Sequence, residues 1–145
     1  DGGGSFSDFS WVSGAEDTGV GRGGVYFDYD GDGCLDLLVT NLGQMARLFR
    51  NVCDSGNNWL IVVVRGTASN RDGIGARITV ISGGSSQIRQ VSSGSSQMGQ
   101  SMMAAHFGLG TAPLVDSITI RWPSGVVQTL TGVEVSQRLT VTEPR

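Results

Sequence analysis

The run Asp28-Tyr29-Asp30-Gly31-Asp32-Gly33-Cys34-Leu35-Asp36 sets four carboxylates at near-alternate positions around two glycines. Oxygen donors at that spacing cage a hard cation. Asp28, Asp30, Asp32 and Asp36 offer side-chain oxygens and Cys34 its backbone carbonyl, while Gly33 permits the sharp turn that makes them converge. Ca2+ is the expected cofactor. Without a cation, two carboxylates 4 Å apart at an effective dielectric near 20 repel by roughly 4 kcal/mol before solvent and salt relieve some of it. The competing reading is an acidic turn with no metal, since Asp and Gly are common turn residues in their own right.

An EF-hand closes with Glu at the twelfth loop position between two helices. Here that position is Val39, and the flanks Gly24-Val25-Tyr26-Phe27 and Leu35-Asp36-Leu37-Leu38-Val39 read as strands. The loop is expected to staple a hairpin, which favours a structural role over a sensor. Cys34 and Cys53, the two cysteines of the chain, are too few for a disulfide framework and too far apart for a CxxC motif. They can bridge the loop to the segment after Arg50-Asn51, and two buried thiols fit the sequence nearly as well.

Other chemistry-bearing residues have plainer readings. In Ser69-Asn70-Arg71-Asp72-Gly73-Ile74-Gly75, Asn70, Arg71 and Asp72 are a candidate partner-binding loop. The favoured alternative is a turn in which Asn70 or Asp72 caps the backbone and Gly73 and Gly75 take unusual φ values. Arg71 and Arg77 are expected to pair with Asp72 or Asp116, worth under ~1 kcal/mol if exposed. His106, the single histidine, lacks the companions a zinc site needs, and beside Phe107 it reads as packed or bonded to backbone. No Gly-x-Ser-x-Gly elbow activates a serine, so no catalytic residue is assigned. Trp11 or Trp59 can stack on a sugar ring, but three tryptophans in a small β protein read more simply as core.

The elements that must position these groups are strands. A chain of 145 residues with 23 Gly and no long helical apolar period suits one domain or one and a half, able to bury about 68–70% of its unfolded surface. The expected fold is all-β: an antiparallel sandwich of about seven strands after an N-terminal β-meander carrying the calcium loop. The sandwich strands are expected at Trp59–Arg65, Ala76–Ser82, Ser86–Val91, Met103–Phe107, Val115–Trp122, Val126–Leu130 and Arg138–Thr142. Val115, Ser117, Thr119 and Arg121 are expected on a wet face, opposite Ile118, Ile120 and Trp122. Ser82-Gly83-Gly84-Ser85 and Pro123-Ser124-Gly125 predict hairpin turns. Ser92–Ser101 reads as an exposed loop with room for a binding tip. In the meander, Phe27, Leu37, Val39 and Leu48 are expected to share one apolar face that must pack on something else.

Two resemblances organise the chain. Phe6–Asn51, with its Asp28-x-Asp30-Gly31-Asp32-Gly33-x-x-Asp36 loop, resembles the FG-GAP/VCBS repeat, one blade of propellers whose loops hold calcium. A single such repeat occurs here. The second half resembles the ASPIC/UnbV domain through Asn58-Trp59-Leu60, Arg65-Gly66-Thr67, Ser69-Asn70-Arg71-Asp72-Gly73-Ile74-Gly75-Ala76-Arg77, His106-Phe107-Gly108-Leu109-Gly110, Arg121-Trp122-Pro123-Ser124-Gly125 and Leu139-Thr140-Val141. That domain follows FG-GAP repeats in secreted proteins, many of them bacterial, so the expected division is 1–52 and 53–145. The resemblance implies an extracellular or cell-surface module, with no catalytic role and an unnamed protein or glycan partner. A carbohydrate-binding module attached to a secreted enzyme is the alternative, and an enzyme fragment a weaker one.

Charge narrows the partners. All ten basic residues are Arg, the net charge is −3 and the acids crowd the N-terminal third, so no basic face for nucleic acid is expected. The longest apolar run, Trp59–Val64, is far below the ~20 residues of a membrane span. With no leader at Asp1, an exported protein would be represented here by a mature or excised piece.

Overall fold

The computed structural model describes residues 6–53, 56–97 and 99–145. Its regular structure is almost entirely β, with one helical turn, α1 (Ser10–Ser13). Strands β1 (Gly21–Phe27), β2 (Asp36–Asn41) and β3 (Arg47–Phe49) form an N-terminal antiparallel sheet in the order β1-β2-β3. The seven remaining strands form two sheets: β4 (Asn58–Arg65), β7 (Ala105–Gly110) and β10 (Gln137–Thr142) in the order β10-β4-β7, and β5 (Arg77–Ser82), β6 (Ser85–Gln90), β8 (Leu114–Arg121) and β9 (Val127–Glu134) in the order β6-β5-β8-β9. Among the described residues no helix is long and apolar enough to cross a membrane.

The two larger sheets close on one core. Leu60, Val62 and Val64 from β4 meet Ile78 and Val80 from β5, Phe107 from β7, and Ile118 and Ile120 from β8. Fully burying each such side chain stabilises the fold by about 1.5–3 kcal/mol. The alternate residues of β10, Leu139 and Val141, add to the same core. Strand β4 differs from the rest because Ile61 is fully buried yet lies outside that cluster. A consecutive buried run, Leu60-Ile61-Val62, marks a strand covered on both faces. The cover for the second face comes from the N-terminal unit.

All seven expected sandwich strands form, with shifts that have local causes. The strand expected at Met103–Phe107 runs instead from Ala105 to Gly110, because Met102 N donates to Tyr26 O at 3.2 Å and is drawn away from the ladder. The last strand, β10, pairs parallel to β4 while the other pairings are antiparallel. Val115 was expected on the wet face and is fully buried. The β8–β9 ladder omits Asp116 between its Val115 and Ser117 pairs, opposite Gly132 with φ +64, and inward and outward faces exchange there. Ser82 pairs with Ser85 across Gly83 and Gly84, whose φ values of 54 and 77 make the tight two-residue hairpin. At the other turn, Gly125 N donates to Trp122 O at 2.9 Å.

Two expectations about apolar surface are corrected. Leu37 pairs with Tyr26 and Phe49, whereas Leu48 pairs with Leu38. Leu37 and Val39 therefore lie on one face of the small sheet, and Phe27 and Leu48 on the other. Of the tryptophans, Trp122 alone belongs to the core; Trp59 is half-buried and Trp11 is 77% exposed.

Candidate metal centre and the surface it rests on

Strands β1 and β2 point the acidic loop at the sandwich. Asp28, Asp30 and Asp36 each place a carboxylate oxygen within 4.8 Å of the others. The loop backbone wraps these groups: Asp28 accepts from Gly31 N at 2.8 Å and Gly33 N at 3.2 Å, and Asp36 from Tyr29 N at 3.0 Å and Asn51 N at 2.8 Å. Asp36 is the innermost, 1% exposed. Asp32 stands outside the cluster; its Oδ1 accepts Cys34 N at 2.8 Å and its Oδ2 lies 3.6 Å from Arg50 Nη2. Arg50 Nε also donates to Asp30 at 2.8 Å. That hydrogen bond, followed by the charges of Asp30, Tyr29 and Asp32, raises the Arg50 pKa above its ordinary value.

The cluster fits a hard divalent cation by its donors. Among the described residues, three converging carboxylates have only backbone N–H groups and one peripheral guanidinium to balance them, and each carboxylate oxygen keeps a free lone pair. The sulfur of Cys34 is unavailable as a ligand, because Cys34 is bonded to Cys53 with their Cα atoms 6.2 Å apart. This bridge ties the loop to the segment after β3.

Gly33 carries the contact to the sandwich. At φ +87 its Cα faces the indole of Trp59 so closely that a Cβ would fall inside the ring. Its carbonyl accepts from His106 Nε2 at 2.8 Å. His106 lies opposite Ile61 in the β4–β7 ladder, so the acidic loop supplies the second cover over β4. A second seam runs along β1: Gly24 N donates to Ser96 Oγ at 3.0 Å and Tyr26 N to Ser101 Oγ at 3.3 Å. The Ser92–Ser101 segment, expected as an exposed loop with room for a binding tip, is in part engaged there; Ser101 is 4% exposed.

His106 has no carboxylate partner among the described residues; its ring bonds the Gly33 carbonyl. On the outer face of β6-β5-β8-β9 the register aligns Ile88, Thr79, Thr119 and Thr129 in one row and Ser86, Ile81, Ser117 and Thr131 in the next. Neither row holds an aromatic side chain, the platform a sugar-stacking surface needs.

The loop after β4 is built as a turn. Asn70 Oδ1 accepts Ile74 N and its Nδ2 donates to Ile74 O, both at 2.8 Å, while Gly73 and Gly75 have φ of 63 and 97. Neither Arg71 nor Arg77 forms an ion pair with Asp72 or Asp116 among the described residues, so that expected pairing is not made. The three side chains separate in role: Asn70 holds the turn, while Arg71 and Asp72 line a groove.

Sequence reasoning missed Glu143. Its Oε2 accepts Thr67 N, Ala68 N and Ser69 N at 2.8, 2.9 and 2.7 Å, and its Oε1 accepts the hydroxyls of Ser69 and Ser124. Burial alone would raise this carboxyl's pKa, but the hydrogen bonds from Ser124, Ser69 and Thr67 outweigh it and bring it to about 2. The available signal was phase: Glu143, one residue past β10, continues the inward alternation of Leu139 and Val141.

A family model described as ASPIC and UnbV matches residues 66–145, the stretch holding β5 to β10 and both halves of the Glu143 clamp. The chain belongs to the ASPIC/UnbV family. Within curated proteins, this ASPIC/UnbV chain is 35% identical over 136 residues to human cartilage acidic protein 1, covering 90% of the chain and 20% of that protein. The mouse protein of the same name is 34% identical over 136 residues, with 90% and 21% coverage. The Xenopus tropicalis one is 34% identical over 119 residues, with 79% and 18%. The chain thus spans about a fifth of the length of the curated relatives it matches.

Proposed function

We propose that this chain is an extracellular, non-catalytic interaction or structural module in which an FG-GAP/VCBS-like sheet is fixed on an ASPIC/UnbV sandwich by Ca2+. The observation that carries the reading is the convergence of Asp28, Asp30 and Asp36 on a space 4.8 Å across, beside Asp32 and Arg50. A bound cation would neutralise the carboxylates there. This chain's own residues do the rest: Gly33 and Asp36 set the loop's shape, the Cys34–Cys53 bridge anchors it, and Trp59 and His106 receive it. A disulfide suits an oxidising compartment, and the cartilage acidic protein name of the relatives suits an extracellular setting. The carbohydrate-binding alternative gains nothing from the sandwich's aromatic-free rows, nor the enzyme alternative from a histidine bonded to backbone.

Thermal unfolding with Ca2+, with Mg2+ and with chelator tests this reading. A ligand that binds only the folded state at 100 times its Kd adds about 2.7 kcal/mol, several degrees in the midpoint of a chain this size. The expected outcome is a midpoint raised by Ca2+ and lowered by chelator. Identical midpoints in all three conditions would reject the calcium role.

A further inference from the structure

Beside the seam with the N-terminal unit lies a groove of about 240 Å³ lined by Arg65, Arg71 and Arg138, with Met102 and Met103 along one wall and Asp72 as its one acid. We propose that this groove binds an acidic peptide segment of a partner protein, through carboxylate side chains held by the three arginines and an apolar side chain against the methionines. The inference rests on reading the chain as an interaction module and assigns the partner's chemistry.

Three observations carry it. First, Arg65, Arg71 and Arg138 make no ion pair and no side-chain hydrogen bond within the described residues, so three guanidinium forks face solvent with their bidentate geometry unspent. Second, their mounts are rigid. Arg65 and Arg138 stand on the same outer face of adjacent paired strands. Arg71 sits in the loop that Glu143 and Asn70 pin, with Gly66 N donating to Arg71 O at 3.0 Å. Fixed mounts leave only the side-chain rotamers to be ordered when a ligand binds. Third, charge is divided along the chain: residues 1–55 hold nine acids and three arginines, residues 56–145 four acids and seven arginines.

That division also selects the occupant. A long polyanion such as nucleic acid or a sulfated polysaccharide would extend past the groove into the field of the acidic N-terminal unit and be repelled. A short peptide keeps its charge within the groove, and methionines accommodate varied apolar side chains through their flexible thioethers. The sequence scatters these arginines over 74 positions, and the fold gathers them.

The test is fluorescence anisotropy of a labelled, C-amidated octapeptide of alternating Glu and Leu, titrated with the calcium-loaded chain. Saturable binding is expected, absent for the same peptide with Gln in place of Glu. It should weaken roughly tenfold in Arg71→Ala and in Arg138→Ala, with unchanged unfolding midpoints, and stay unaltered in Arg22→Ala. Equal affinity in all variants, or no saturation at millimolar concentration, overturns the proposal. So does tighter, arginine-dependent binding of a heparin hexasaccharide, which would make the occupant a polysaccharide. Failure of peptide binding with a normal calcium-dependent midpoint sinks this inference alone; the reverse result sinks the calcium reading alone.

Discussion

Asp36 and Glu143 are both buried carboxylates, 1% and 2% exposed, and they are balanced in opposite ways. Glu143 receives five hydrogen bonds, three of them from consecutive backbone N–H groups, and among the described residues no second carboxylate competes for them. Asp36 receives two, and shares its space with Asp28 and Asp30. A buried charge is tolerated when its surroundings supply enough oriented donors, and becomes a liability when charges of one sign outnumber them. The first site is therefore complete as protein alone and serves as a clamp between β10 and the loop after β4. The second keeps a surplus of like charge, and the calcium proposal rests on that surplus.

Glu143→Ala should produce the largest effect. It leaves Thr67 N, Ala68 N and Ser69 N unpaired at the rim of the core, and the unfolding midpoint should fall by on the order of 10 °C, with Glu143→Gln between mutant and wild type. The pH dependence has a defined sign. The carboxyl titrates near 4.5 when unfolded and near 2 when folded, so as pH falls the unfolded chain takes the proton first. The clamp's contribution is complete above the unfolded value and drains away between pH 4.5 and pH 2. Urea midpoints measured across that window should fall more steeply for wild type than for Glu143→Gln. Parallel curves would show that the hydrogen bonds do not hold the folded carboxyl ionised.

What could be read from the sequence divides along the same line. The cluster of Asp28, Asp30 and Asp36 was legible because its members lie within nine consecutive residues and chain geometry alone brings them near one another. The seven sandwich strands were legible from apolar alternation and turn residues. The clamp was not, because its donors are backbone groups 74 to 76 positions from Glu143, and a backbone N–H has no sequence signature. The parallel β10–β4 pair, the exchange of faces at Asp116 and the arginine groove share that origin: each depends on which distant strands become neighbours.

Gly33→Ala should come next in size and sharpens the comparison by separating the loop from its support. A non-glycine residue at φ +87 costs about 1–3 kcal/mol in backbone strain, and the new methyl group would also occupy the Trp59 ring position. The loop must lift, which breaks the His106–Gly33 hydrogen bond and uncovers Ile61. Hydrogen exchange should accelerate in residues 28–36 and at the outer face of β4, while the amides of Thr67, Ala68 and Ser69 stay protected by Glu143. Uniform acceleration over both regions would mean that the two carboxylate sites belong to one cooperative unit and cannot be contrasted as separate devices.

Asp30→Ala should have the smallest effect, and one confined to calcium. Asp30 is the most exposed member of the cluster, and its recorded partner is Arg50, a guanidinium whose side chain is 55% exposed. Without a cation, the substitution gives up that screened surface pair and at the same time relieves repulsion with Asp28 and Asp36, so two small terms of opposite sign leave the chelator midpoint nearly unmoved. With calcium present, the same change removes a ligand, and the midpoint should fall to the chelator value. Glu143→Ala, by contrast, should lower the midpoint equally with and without calcium. If Asp30→Ala also lowers it equally in both conditions, Asp30 is a structural group of the Glu143 kind, and the acidic loop owes its shape to hydrogen bonds alone.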